Sequence, residues 1–228
     1  LFAISCIMYL VCGYAIMYGG DIFLSGIADF DLAGVLSASA ENGFDGSTRD
    51  LARGAGITQP LLYRYFPSKE SLIEAVYASV FLKSWDPAWD DILKDRDLSV
   101  RDRFQRFYSA YTETIFQPVW MRLWHFASLR DAEVYGWYRE VVQEQILKPL
   151  VRERRIELGH NPGFAVSPAE LEAPWLLHGG LLNYGLRQQV TGQADRDARD
   201  SMIRQALEMY MLFTAAQTPE TGPTKDPR

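Results

Sequence analysis

The sequence predicts an all-α protein, with an N-terminal helix-turn-helix domain followed by a larger helical domain. Three observations lead there. Two short helical patterns meet at Gly56 within residues 47–65, with small and apolar residues where crossing helices need them. Polar residues that cap helices, Ser47 and Thr58, stand just ahead of those patterns. Beyond Phe81, large apolar side chains recur every three or four positions with only short breaks.

Composition bounds the functional classes. At 228 residues, with 48% apolar and 23% charged residues, the chain fits one sizeable core or two small domains of an ordinary soluble protein. The net charge of -6 opposes nucleic acid, so local geometry has to supply any DNA affinity. Cys6, Cys12, His125, His160 and His178 form no CxxC or HExxH pattern, which argues against a zinc site or disulfide framework, and no cofactor is expected. No phosphate-binding glycine loop or nucleophile elbow is present, so the expectation is not an enzyme but a cytoplasmic binding protein.

The beginning is unlike the rest. Residues 1–20, LFAISCIMYLVCGYAIMYGG, carry no charge and approach the length of a bilayer span. The first basic residue is Arg49, so the basic flank of an oriented span or signal peptide is absent, and membrane association is not expected. FAISCIMYLVCGYAIMYGGDIF resembles part of a transmembrane helix of an ammonium transporter, but without that family's other spans no transport follows. Three origins stay open for residues 1–30: a fusion or mis-joined frame, a membrane anchor, or a helix packed on the soluble body. The chain starts with Leu rather than Met, which leaves a missing N-terminus open as well.

The elements follow in order. Leu32, Val35 and Leu36 predict a weak first helix that stops at Asn42-Gly43. Ser47 and Asp50 have capping-box spacing for a second helix that carries Leu51, Ala52 and Ala55 on one face. Gly56 supplies the turn, Thr58 caps the next helix, and Pro60 falls in its first turn, where a missing amide costs little. Counted from Thr48, small Ala52 and turning Gly56 occupy the fifth and ninth helix-turn-helix positions. Apolar Leu51, Ala55, Ile57, Leu62 and Tyr65 fill the core slots.

GFDGSTRDLARGAGITQPLLYRYFPSKESLIEAVY, spanning residues 43–77, resembles the DNA-binding domain of the TetR family of transcriptional regulators, most distinctively in LYxYFxSKE. Unlike that family's usual first helix, this one has no basic residue ahead of Arg49. The resemblance implies double-stranded DNA, a small-molecule effector and a second copy of the chain as partners. It places a DNA-binding domain at 31–81 and an effector and dimer domain at 82–217, after the apolar segment at 1–30; the composition of 218–228 predicts a disordered tail.

A recognition helix over 58–65 would enter the major groove by its N-terminal end. Thr58 and Gln59 then lie near base edges or phosphates, and Leu61 near a thymine methyl. Tyr63, Arg64 and Lys69 are expected at phosphates, as are Ser47, Thr48 and Arg49. Tyr65 is open between core packing and phosphate contact, and Arg49 between phosphate and solvent. Residues 41–80 hold four basic against five acidic residues, so one copy attracts DNA weakly and a dimer is needed.

In the larger domain, aromatic stripes suggest both core and ligand site. The candidate lining is Phe107, Tyr111, Trp120, Met121, Trp124, His125, Trp175 and His178, which suits a small, largely apolar effector. For each histidine taken alone, a satisfied core role is the expected reading and ligand contact the alternative. Pro149 is expected to bend or end its helix. Residues 168–190 and 197–214 are expected to pair across a two-fold axis as a four-helix bundle, or else to close the monomer core. The function this sums to is a ligand-responsive DNA-binding repressor. The alternatives are a membrane-anchored DNA-binding sensor using residues 1–20 or a helical small-molecule binder with impaired DNA binding.

Overall fold

The computed structural model describes residues 35, 47–78, 80, 85–130, 132–192 and 195–216. The apolar segment at 1–30 and the tail at 218–228 lie outside the described residues. Of the weak first helix only Val35 is described, helical and fully buried. All regular structure among the described residues is helical. None of their helices is long and apolar enough to cross a membrane.

By internal packing the chain divides into two compact units. One takes the residues up to Ser84 and Pro118–Tyr138; the other takes Trp85–Gln117 and the residues from Arg139 onward. The first unit contains α1 (Thr48–Gly54), α2 (Gln59–Tyr65), α3 (Lys69–Tyr77) and α6 (Pro118–Arg130). The second contains α4 (Pro87–Lys94), α5 (Val100–Ile115), α8 (Lys148–Glu157), α9 (Pro168–Thr191) and α10 (Arg196–Ala215). Helix α7 (Ala132–Val142) runs across the division.

In the first unit Leu51, Ala52, Leu62, Phe66, Leu72 and Val76 are buried. Ser68 and Ser71 form a reciprocal capping box at the start of α3. On α6, Trp120 meets Tyr138 edge-on at 5.8 Å between ring centroids.

In the second unit α5 packs against α4, α8 and α10, and α9 against α8 and α10. Ser99 caps α5 by accepting from the Asp102 amide. The buried stripe Phe104, Phe107, Tyr108, Tyr111 and Ile115 follows from the 3.6-residue period of that helix. Pro149 does not end its helix. A π-helical segment, Gln143–Leu147, precedes it, and α8 continues from Lys148 with the proline in its first turn. The wider turn places the ring where no amide is called for.

Three arginines tie these helices together. Arg103, almost wholly buried on α5, donates to the Leu93 carbonyl at 2.8 Å and to Glu153 of α8 at 3.0 Å. Arg154 donates to the Met211 carbonyl and the Thr214 hydroxyl of α10. Arg155 donates to the carbonyls of Phe164 and Ala165 and to the Glu170 carboxylate, which also completes the capping box of α9 with Ser167. Burial pushes the Glu170 carboxyl upward, but the Ser167 amide and Arg155 outweigh it and hold the group below its ordinary value. Replacing Arg155 by Ala should lower the unfolding free energy by about 2 kcal/mol, since the donors are lost while the Phe164 and Ala165 carbonyls and the Glu170 carboxylate are left without them. A urea titration checks this, with Arg152→Ala, at an exposed neighbour, expected within about 0.5 kcal/mol of the parent.

Candidate nucleic-acid interface

The geometry of α1 and α2 is set by the turn between them. Gly56 adopts a left-handed φ of 66°, the Gly56 amide donates to the Arg53 carbonyl, and the Ile57 amide returns to the Ala52 carbonyl at 2.9 Å. This is the glycine cap that satisfies the last carbonyls of a helix, and it accounts for the glycine read at the ninth position. Thr58 then caps α2 by accepting from the Leu61 amide, with Pro60 in the first turn as expected.

A hydrogen-bonded cluster links the two helices on their polar side. Gln59 Nε2 donates to Thr48 Oγ1 at 2.8 Å, and Thr48 Oγ1 lies 3.1 Å from the Tyr63 hydroxyl. Thr48 is buried, whereas Tyr63 is 43% exposed. Three residues expected to touch DNA are therefore in contact with one another, and the sequence spacing does not reveal that cluster.

The remaining predicted positions divide by exposure. Ser47, Arg49, Thr58 and Arg64 are exposed; Leu61, Tyr65 and Lys69 are partly buried. The side chains of Arg49 and Arg64 form no ion pair with the described residues, while Arg53 is paired with Asp50. Ser47 donates its hydroxyl to Asp50, and that bond, with Arg53, holds the Asp50 carboxyl below its ordinary value.

The predicted ligand residues form two groups. Phe107, Tyr111, Trp175 and His178 belong to the second unit, where Phe107 stacks on Tyr111 at 5.3 Å and His178 lies 5.8 Å from Tyr111 and 6.1 Å from Trp175. Trp120, Met121, Trp124 and His125 belong to the first, and Trp124 packs edge-on to both His125 and Tyr138. The group around His178 gains a member that the candidate lining omits. Tyr108, fully buried, sits 6.1 Å from His178, and its hydroxyl has no hydrogen-bond partner among the described residues. Its place on the α5 stripe, between Phe107 and Tyr111, is the signal that could have found it. Burial pushes the Tyr108 phenol well up and drives His178 down to about 3, so both groups are neutral at physiological pH. No group of three or more His, Cys, Asp or Glu residues that could hold a metal occurs among the described residues.

Residues 36–76 match the model of bacterial regulatory proteins of the tetR family. The helix-turn-helix region belongs to the tetR family. No curated protein matches the sequence. The fold is similar to the crystal structure of a candidate tetR-family transcriptional regulator from Mesorhizobium loti, with a TM-score of 0.52 and 15% identity over 80% of this chain and 93% of that one. The tetR-type domain carries the general function of DNA-binding transcription regulation, and it places the Thr48–Gln59–Tyr63 cluster within its matched residues.

The neutral state of His178 gives a signed pH dependence. Its folded pKa lies far below the ordinary 6.5, so the unfolded chain binds a proton that the folded chain refuses. The stability this contributes is complete above pH 6.5 and is lost progressively as pH falls toward 3. Thermal midpoints from pH 7.5 to 5 should therefore fall, and His178→Phe should flatten that slope.

Proposed function

We propose that the protein is a repressor that binds a near-palindromic operator as a homodimer and is released by a small, uncharged, largely aromatic or apolar effector. The observation that carries the DNA part is the α1–α2 pair itself. Its glycine cap presents Gln59, Tyr63 and Arg64 on one short helix, with Arg49 exposed on α1. In this reading α2 enters the major groove. Gln59 pairs with an adenine, Thr58 and Leu61 lie near bases, and Tyr63, Arg64, Tyr65, Lys69, Arg49 and Ser47 lie along phosphates.

Dimerisation is assigned to α9 and α10. Their buried faces, with Leu177, Leu181, Ile203 and Leu207, close the second unit, while Leu176, Val190, Met209, Leu212 and Phe213 remain exposed. That exposed apolar set supports pairing with a second copy as a four-helix bundle. Gly185 serves the protomer instead: a Cβ there would meet the Phe116 ring at 2.6 Å. Gly179 and Gly180 are exposed with open space above them, which suits close approach of a partner helix.

The effector is assigned to the cluster of Phe107, Tyr108, Tyr111, Trp175 and His178. Neutral Tyr108 and His178 favour an uncharged hydrogen-bonding group over a carboxylate or ammonium. The other group (Trp120, Met121, Trp124 and His125) is the second place for it, with Trp124 Nε1 and His125 Nε2 buried and unpartnered among the described residues. Release follows if the effector binds the DNA-incompetent state of the dimer more tightly than the competent one.

The DNA assignment is tested by binding to the protein's own promoter region across a salt series. Lys69→Ala should lower the magnitude of the log–log salt slope by about 1 per protomer, and Tyr63→Ala with Lys69→Ala should weaken binding at least about tenfold. Unchanged affinity and slope in the double variant would remove the assignment.

A further inference from the structure

Thr48 has one hydroxyl proton and two acceptor positions. Gln59 Nε2 donates into that oxygen at 2.8 Å, and the Tyr63 hydroxyl stands 3.1 Å away. Thr48 can therefore give its own proton to the Tyr63 oxygen, leaving the Tyr63 proton directed outward. Tyr63, 43% exposed, can deliver that proton to a phosphate, while buried Thr48 is shielded from contact with one.

Gln59 keeps what base reading needs. One of its two Nε2 protons is held by Thr48; the other and Oε1 are left to serve the N7 acceptor and N6 donor of an adenine. The same bond fixes which end of the amide faces Thr48.

We infer that Thr48 is a positioning residue that couples base reading by Gln59 to phosphate contact by Tyr63. The coupling runs through a one-way chain from the Gln59 amide through the Thr48 hydroxyl to the Tyr63 hydroxyl and the phosphate. This rests on the reading of α1 and α2 as the DNA-binding face, and it changes the role of Thr48 from a phosphate contact to a relay. DNA binding selects one direction of the Thr48–Tyr63 bond, because a Tyr63 that donates to phosphate must accept from Thr48. Each bond in such a chain polarises the next, so losing either end weakens the other.

The experiment uses the full chain and, as probe, the duplex most enriched by the wild-type protein from a random-sequence pool. Dissociation constants are measured for wild type, Gln59→Ala, Tyr63→Phe and the double variant, first with Thr48 and then with Thr48→Val. With Thr48 present, the cycle should show coupling of at least about threefold. Thr48→Val, close in shape, should weaken binding about tenfold, abolish the coupling and reduce discrimination against the duplex changed at the adenine that Gln59 reads. Thr48→Ser should restore affinity to within about threefold. An additive cycle with Thr48 present, or the same coupling with Thr48→Val, overturns the relay. So does a Thr48→Val variant that weakens all duplexes equally while its thermal midpoint falls, since that is a packing role only. If the wild type enriches no duplex, the DNA-binding reading itself fails; if it enriches one that Gln59→Ala and Tyr63→Phe bind equally well, the relay alone fails.

Discussion

One backbone conformation, the left-handed turn at Gly56, governs the part of the molecule proposed to meet DNA. A Cβ at that position would meet nothing within 4 Å, so space is not the constraint; the positive φ is. The cap closes α1 and aims α2 away from it, with the Ile57 amide returned to Ala52. That crossing brings Ala52 and Leu62 into the core and sets Thr48 beside Gln59 and Tyr63. With a small residue at 52 the helices can approach closely; with a larger one the crossing, and the polar cluster with it, would shift. The seven-residue length of α2 follows from the same economy of sequence, since Thr58 starts it and Pro67 closes off its continuation.

The second unit solves a different problem. Its core sets a cluster of rings among aliphatic side chains, and charged side chains near it are paired: Arg103 with Glu153, Arg154 with Glu157, Arg155 with Glu170. The Glu153 carboxyl illustrates the balance. Burial pushes it up, yet Arg96 and Arg103 outweigh that and keep it charged. His178 and Tyr108, in the ring cluster, are held neutral by desolvation. A buried hydroxyl without a partner among the described residues, as at Tyr108, is costly to stability.

Much of this was legible in the sequence, and the reasons are physical. The caps at Ser47 and Thr58, the turn at Gly56 and the apolar periodicity of residues 100–115 are local signals, encoded within a few residues of where they act. Helices at 168–191 and 196–215 match the two late helices read from apolar spacing. Long-range features were not legible. The pairing of Thr48 with residues eleven and fifteen positions away depends on the helix crossing. That Trp120, Met121, Trp124 and His125 belong to a different unit from the other aromatic candidates depends on how helices cluster. Of the two outcomes read for Pro149, a bend or an end, the end does not occur, and the π-helical turn before it carries no comparable sequence signal. At Gly185 the Phe116 ring of the same chain fills the space a Cβ would need, a long-range contact with no local signal.

The central claim is that α1, α2 and the start of α3 form the DNA-binding face. Amide hydrogen exchange of the full chain, with and without the duplex it selects from a random pool, tests this most directly. Exchange across residues 47–69 should slow in the complex. Tight binding of that duplex with exchange at 47–69 unchanged, and protection elsewhere, would contradict it.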